Sequence, residues 1–160
     1  MSNRPDPDFT VRPARREDTP AIVALILQGD AIRPLPPEHA AAEANHPDYL
    51  TAFDVVAASP DVEMFVAEQD GAVIGTIKVV LVPGLAGRGR TRARFESVHV
   101  APDLRGKGVG AAMIAFAEDF ARSRGATSVE LTSNANREDA HRFYRRLGFD
   151  QSHAGFRKTL

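Results

Sequence analysis

Cysteine is absent from all 160 residues, which excludes a disulfide framework, a thiolate nucleophile, iron–sulfur ligation and any Cys-type zinc site. There is also no run of about 18 apolar residues of the kind a membrane-spanning helix needs. The opening Met1-Ser2-Asn3-Arg4-Pro5-Asp6-Pro7-Asp8 lacks the apolar segment of a secretory leader. Internal repeats and low-complexity tracts are missing as well. These absences lead us to expect a cytoplasmic protein with no membrane partner. What is present, 43% hydrophobic and 26% charged residues, suits a single domain over residues 1–160, with residues 1–8 as a flexible tail.

The net charge of −1 hides an asymmetry. Residues 1–70 carry 13 acids against 5 bases, a balance of −8, and residues 71–160 carry 8 acids against 15 bases, a balance of +7. A basic second half suits an anionic ligand, and an acidic first half leans toward a cationic one.

The pattern of apolar residues predicts a short strand over Phe9–Arg12. A helix follows, opened by Asp18-Thr19-Pro20 with Asp18 as its cap, and ended by Gly29. Residues Glu38–Ala58, Ala-rich and broken near Pro47, read as a mobile, solvent-facing pair of helices. From Val62 the period becomes two: one strand carries Val62, Met64, Val66 and Glu68 on one side. Asp70-Gly71 turns the chain, and a second strand runs from Val73 to Val82. Gly84–Arg94 reads as an arginine-bearing loop, Phe95–Val100 as a strand, and Gly108–Arg124 as a helix with Val109, Met113, Phe116 and Phe120 in one stripe. Val129 and Leu131 mark another strand. Asn136–Leu147 reads as a helix capped by Asn136 and closed by Gly148, and a last strand covers Phe149–Lys158. The expected class is α/β, with a mostly antiparallel front half.

Between Val98 and Gly110 a strand ends, the chain bends through Gly106, Gly108 and Gly110, and a helix begins. Glycine admits dihedrals that bring backbone N–H groups close to an anion. The first N–H groups of a helix have no internal partner and sit at its positive end. Arg105 and Lys107 add charge, so the bend reads as a phosphate site. It is not a nucleotide-triphosphate loop, because Ala111-Ala112 stand where Lys-Ser/Thr would be required, and it is not a G-x-G-x-x-G fingerprint.

The segment resembles the coenzyme A pyrophosphate loop of the GNAT superfamily of N-acetyltransferases, Arg/Gln-x-x-Gly-x-Gly/Ala, with Arg105, Gly108 and Gly110 at the matching places. Further on, Ala140-His141-Arg142-Phe143-Tyr144-Arg145-Arg146-Leu147-Gly148-Phe149 is similar to the family's Ala-x-x-x-Tyr-x-x-x-Gly-Phe ending. The resemblance spans about residues 9–160. It implies a mixed, mostly antiparallel sheet of six to seven strands flanked by about four helices. It further implies acetyl-CoA as cosubstrate and an amine acceptor. Dimers are common in the family, so a homodimer is among the expectations.

An alkyl amine with a pKa of about 10.4 is neutral in only about one part in 10³ at pH 7, so transfer to it needs a proton acceptor. The resemblance implies that the N–H near Val98 polarises the thioester carbonyl. Val98, His99 and Val100 would lie along the pantetheine arm. Arg105, Gly106, Lys107, Gly108, Val109 and Gly110 would hold the diphosphate, and Tyr144 would protonate the leaving sulfur. Glu96, two residues before Val98 and on the same face, is the candidate base; the bland alternative pairs it with Arg90, Arg92 or Arg94. Strict alternation turns His99 to the opposite face as a structural residue, though its intrinsic pKa makes it the rival base. Asn136 is the candidate cofactor contact before the last helix, with Asn134 as alternative.

No metal is expected, since His39 and His46 would stand about 10.5 Å apart along a helix. Nucleic acid is not expected either: the arginines of 88–94 have only Phe95 as an aromatic neighbour and more readily serve the cofactor's 3′-phosphate or face solvent. A non-catalytic acyl-CoA-binding regulator is the alternative function, and it would need neither Glu96 nor Tyr144.

Overall fold

A computed structural model describes residues 8–160; the expected tail, residues 1–8, falls outside it but for Asp8. Five strands lie side by side in chain order: β1 (Thr10–Pro13), β2 (Val62–Gln69), β3 (Ala72–Pro83), β4 (Thr91–Val100) and β5 (Ala126–Leu131). β1 to β4 are antiparallel neighbours, and β4 with β5 is parallel. Helices α1 (Thr19–Gln28), α2 (Pro37–Glu43) and α3 (Pro47–Ala57) join β1 to β2, and the single turn α4 (Ala86–Gly89) joins β3 to β4. The long α5 (Val109–Ser123) is the crossover a parallel pair requires, and α6 (Glu138–Arg146) follows β5.

The sheet is buried on both faces. Phe65, Ala67, Ile77, Val79, Ala93 and Phe95 meet Val109, Met113, Ile114 and Ala117 of α5. The stripe expected on α5 is therefore right at Val109 and Met113. Phe116 and Phe120 flank it, and each packs edge-on against Phe65 at 5.0 Å between ring centroids. On the other face Val66 and Thr76, paired across β2 and β3, are fully buried on the side of Ile22, Val23 and Leu25 of α1. Asp70 (φ 51°) and Gly71 (φ 78°) form the expected tight hairpin, both left-handed as a type I′ turn requires.

Several expectations are corrected. Among the described residues the sheet has five strands, not six to seven, and residues 149–160 form no strand. A β-pattern specifies a strand only where an edge receives it. The loop expected over Gly84–Arg94 ends earlier, because β4 starts at Thr91: Ala93 and Phe95 point into the core while Arg92 and Arg94 line the exposed face. Arginine on alternate positions was strand pattern rather than loop composition. The Ala-rich pair is not wholly solvent-facing, since Ala40 and Ala44 are buried where α2 packs on α1; small side chains allow that close approach. His39 lies in α2, while His46 caps α3 by accepting the Asp48 N–H at 3.3 Å, so the two do not share a helix.

Asp18 precedes α1 but does not cap it with its side chain. Its carboxylate accepts from the Arg12 guanidinium at 2.7 and 3.0 Å and from the Arg15 N–H at 2.7 Å. The Arg12 hydrogen bond, opposed by burial, holds the carboxyl below the usual aspartate range. Arg12 also donates to Glu68 at 2.7 Å, tying β1, the following turn and β2 together.

Candidate active site

Register decides which side chains meet in the cleft. Pairing of β3 with β4 runs from Pro83↔Thr91 to Lys78↔Glu96 and resumes at Thr76↔His99. One residue of β3, Ile77, thus faces two of β4, Ser97 and Val98, and Ser97 takes a left-handed φ of 51°. Such a bulge inverts the alternation beyond it. Glu96 and His99 consequently share the Lys78–Thr76 face, which corrects the expectation that His99 points away. Pairing of β4 with β5 ends at Phe95↔Leu131. Past that point the two strands part and leave a cleft of about 180 Å³. Glu96, Ser97, Val98 and His99 form one wall and Leu131–Asn134 the other, with Tyr144 and Arg137 contributed from around α6.

Glu96 Oε2 lies 2.7 Å from Lys78 Nζ across the strands. Of the arginines expected to compete for it, Arg92 and Arg94 both donate to Glu130, at 3.0 to 3.2 Å. A proton arriving at Glu96 would therefore be received beside an ammonium. Lys78 has no sequence signal, because only cross-strand register brings it there.

His99 fits beneath α1 because residue 29 is glycine: a Cβ there would collide with Nδ1 and Cε1 of the ring. Burial, then the charges of Arg137 and Arg105, with Asp30 opposing, push His99 down to about 4. Its imidazole is neutral near pH 7.

Tyr144 rests between Phe143 and Phe149, with ring centroids 5.1 and 5.7 Å away. Gly148 (φ 88°) ends α6 as expected: its N–H donates to Arg145 O at 3.0 Å, and the Phe149 N–H to Tyr144 O at 3.1 Å. That closure folds Phe149 back onto the tyrosine. Burial raises the Tyr144 phenol above its ordinary range, against the charge of Arg137. The hydroxyl keeps its proton near neutrality.

Asn136 does not cap α6; the helix starts after Arg137 without a side-chain cap. Asn136 is exposed and away from the cleft, whereas Asn134 lines it and accepts the Asn136 N–H at 3.0 Å. Two further groups escaped the sequence reading. Arg137 reaches the cleft, and Ser133 Oγ, on its wall, is buried with no protein partner among the described residues. A buried hydroxyl left unpaired beside a cavity marks a place for a ligand atom.

Beyond β4 the chain takes left-handed dihedrals at Gly106 (φ 76°) and Gly108 (φ 91°) and then enters α5. Among the described residues the N–H groups of Gly106, Gly108, Val109, Gly110 and Ala111 have no backbone acceptor. Arg105 Nε donates to Val100 O at 3.1 Å and ties the bend to the strand. Free amides at the positive end of a 15-residue helix make an anion cradle.

A cleft between parting strands, with an anion cradle at the start of the next helix, suits an extended ligand that carries an anionic group. The chain belongs to the GNAT acetyltransferase family, described as "Acetyltransferase (GNAT) family", whose sequence model matches residues 29–149. It is similar to an aminoalkylphosphonate N-acetyltransferase from Salmonella typhimurium, at 34% identity over all of this chain and 98% of that one. Its structure resembles that of a transcriptional regulator from Bacillus halodurans C-125, with TM-score 0.84 and 28% identity, covering 95% of this chain and 99% of the other. It also shares its fold with a predicted acetyltransferase from Clostridium acetobutylicum solved with acetyl-CoA, at TM-score 0.69 and 14% identity over 94% and 96% of the two chains.

Proposed function

We propose that acetyl-CoA is the acyl donor and that its acetyl group passes directly to a primary amine held in the same cleft. The observation carrying this reading is the set of free amides at Gly106, Gly108, Val109, Gly110 and Ala111, just beyond the end of β4. The diphosphate occupies those amides, with Arg105 and Lys107 beside them. The pantetheine arm follows the open edge of β4 past Val98, His99 and Val100, as an added strand would. The Val98 N–H receives the oxyanion. Ser133 and Asn134 replace Asn136 as contacts on the facing wall.

Glu96 takes the amine proton, directly or through water, and the buried Tyr144 phenol returns one to the thiolate as the carbon–sulfur bond breaks. The acceptor's N–H proton thus leaves to Glu96 while the CoA sulfur leaves as thiol.

The acceptor we propose is a small primary amine that also bears a phosphonate-type anion. Full-length similarity to the Salmonella enzyme supports it, and so does Arg137, a cation lining the same cleft as Glu96. Part of the acidic excess before residue 70, which leaned toward a cationic acceptor, is held in ion pairs: Arg12 engages Asp18 and Glu68, and Arg16 engages Asp54.

Thiol release from acetyl-CoA tests this with aminoalkylphosphonates set against polyamines and lysine. We expect turnover with the phosphonates, and kcat reduced about 10²-fold in Glu96→Gln and in Tyr144→Phe. Unchanged turnover in both variants would refute the two roles. CoA binding with no turnover on any amine would favour an acyl-CoA-binding regulator, the reading that the B. halodurans resemblance keeps in view.

A further inference from the structure

Arginine outnumbers lysine in this chain by 17 to 3, the lysines being Lys78, Lys107 and Lys158. Cations are thus supplied almost wholly as guanidinium, which keeps its proton in proteins and offers no amine nucleophile. One of the three lysine amines nevertheless stands against the base. Lys78, in mid-β3, lies between Met64 of β2 and Glu96 of β4. Met64 gives it no charge to pair with, and its Nζ rests 2.7 Å from Glu96 Oε2. The Lys78 side chain is 25% exposed, sheltered but accessible.

A purely structural cross-strand pair is the rival explanation. A partly exposed pair of this kind adds little to stability. Where this chain needs only a cation for a carboxylate, it uses arginine: apart from His46–Asp48, every other ion pair among the described residues has Arg as its base. Only the carboxylate lining the cleft is given a primary amine.

We propose that Lys78 is a self-acetylation site, which takes the acetyl group of bound acetyl-CoA when no acceptor amine is present and so switches the copy off. The proposal rests on the reading of acetyl-CoA as donor. At the bulge Ile77 faces Ser97 and Val98, so Lys78 is one residue, about 3.3 Å along the strand, from the level of the Val98 N–H. A flexible four-carbon stem covers that step. The Lys78 ammonium loses two protons in all. One leaves through Glu96 to solvent, and the other replaces the proton that Tyr144 gives to sulfur. The Nζ lone pair forms the new bond to the acetyl carbon, the carbon–sulfur bond breaks, and CoA departs as thiol. The product amide carries no charge. Glu96 loses its cation, and the acetyl group fills the place where an acceptor amine would meet the base.

The full chain incubated with acetyl-CoA alone should gain the mass of one acetyl group. Tryptic mapping should place it on Lys78, because cleavage after that residue is lost. Glu96→Gln should slow the labelling about 10²-fold. Turnover of an aminoalkylphosphonate, measured after this preincubation, should fall in proportion to the acetylated fraction. Lys78→Arg keeps a cation beside Glu96, and it should show neither the mass gain nor any loss of its own rate on preincubation. Lys107 and Lys158 are internal controls: label reaching them as fast as Lys78 marks acylation from solution and overturns the proposal. A preincubation loss that persists in Lys78→Arg overturns it as well. So does a chain that turns over an amine yet stays unmodified, and that result leaves the donor reading standing. A chain that neither binds acetyl-CoA by calorimetry nor releases thiol with any amine removes both.

Discussion

The β1–β2 corner and the start of α5 treat polar groups in opposite ways. At the corner, Arg12 satisfies Asp18, Glu68 and the Pro13 carbonyl at once, and Thr19 Oγ1 donates to Arg16 O at 2.7 Å. At α5 five successive or near-successive amides are left without acceptors, and across the cleft Ser133 Oγ is buried unpaired. Folding normally pairs such groups, because an orphaned buried one is costly. The corner's polarity is therefore consumed in holding the fold, and the helix start keeps its polarity for something that arrives later. Part of the acidic front half, conspicuous by count, binds its own arginines; the glycine bend, where Arg105 and Lys107 stand among the free amides, is the receptive region.

The sharpest break of this contrast is Arg12→Ala. It leaves the nearly buried Asp18 carboxylate unpaired, and we expect a loss of about 3–5 kcal/mol in urea unfolding. CoA affinity, read by calorimetry on the folded fraction, should stay within about twofold. Gly108→Val should do the reverse. A β-branched residue at φ 91° displaces the cradle, so CoA affinity should fall about 10²-fold, against a stability cost of only about 1–3 kcal/mol.

The smallest effect sharpens the comparison through pH. His99, near 4 in the folded chain and about 6.5 when unfolded, binds its proton more readily in the unfolded state between those values. Stability should therefore drop as pH falls from about 6.5 to 4, by about 2 kcal/mol. In His99→Gln that part of the slope should vanish. Asp18 acts lower: its depressed carboxyl supports the fold above about pH 4 and ceases to do so as pH falls further.

Legibility in the sequence followed the range of the interactions. Asp70-Gly71, the Gly148 closure, the bend from Gly106 to Gly110 and Val109–Met113 were readable because each is decided within a few residues. Family resemblance supplied the class of chemistry from two such local motifs. Lys78–Glu96 and Arg94–Glu130 were not readable, since both depend on cross-strand register. Ala40 and Ala44 carried too little hydrophobic signal to announce burial under α1. Asn134 and Asn136 could not be ranked until the turn between them was fixed by the Asn134 side chain. The last strand expected over Phe149–Lys158 does not form, because strand formation depends on long-range pairing that a local pattern does not contain.

The kink at Ser97 works like a reading frame. One additional residue there fixes whether an imidazole or an aliphatic side chain is turned to the Glu96 side of the strand, while the core-facing half of β4 up to Phe95 is left untouched. Shortening the chain by that single residue should turn His99 away from Gly29 and exchange the chemistry of the wall in one step. The lining of the cleft can thus change by insertion or deletion as well as by substitution.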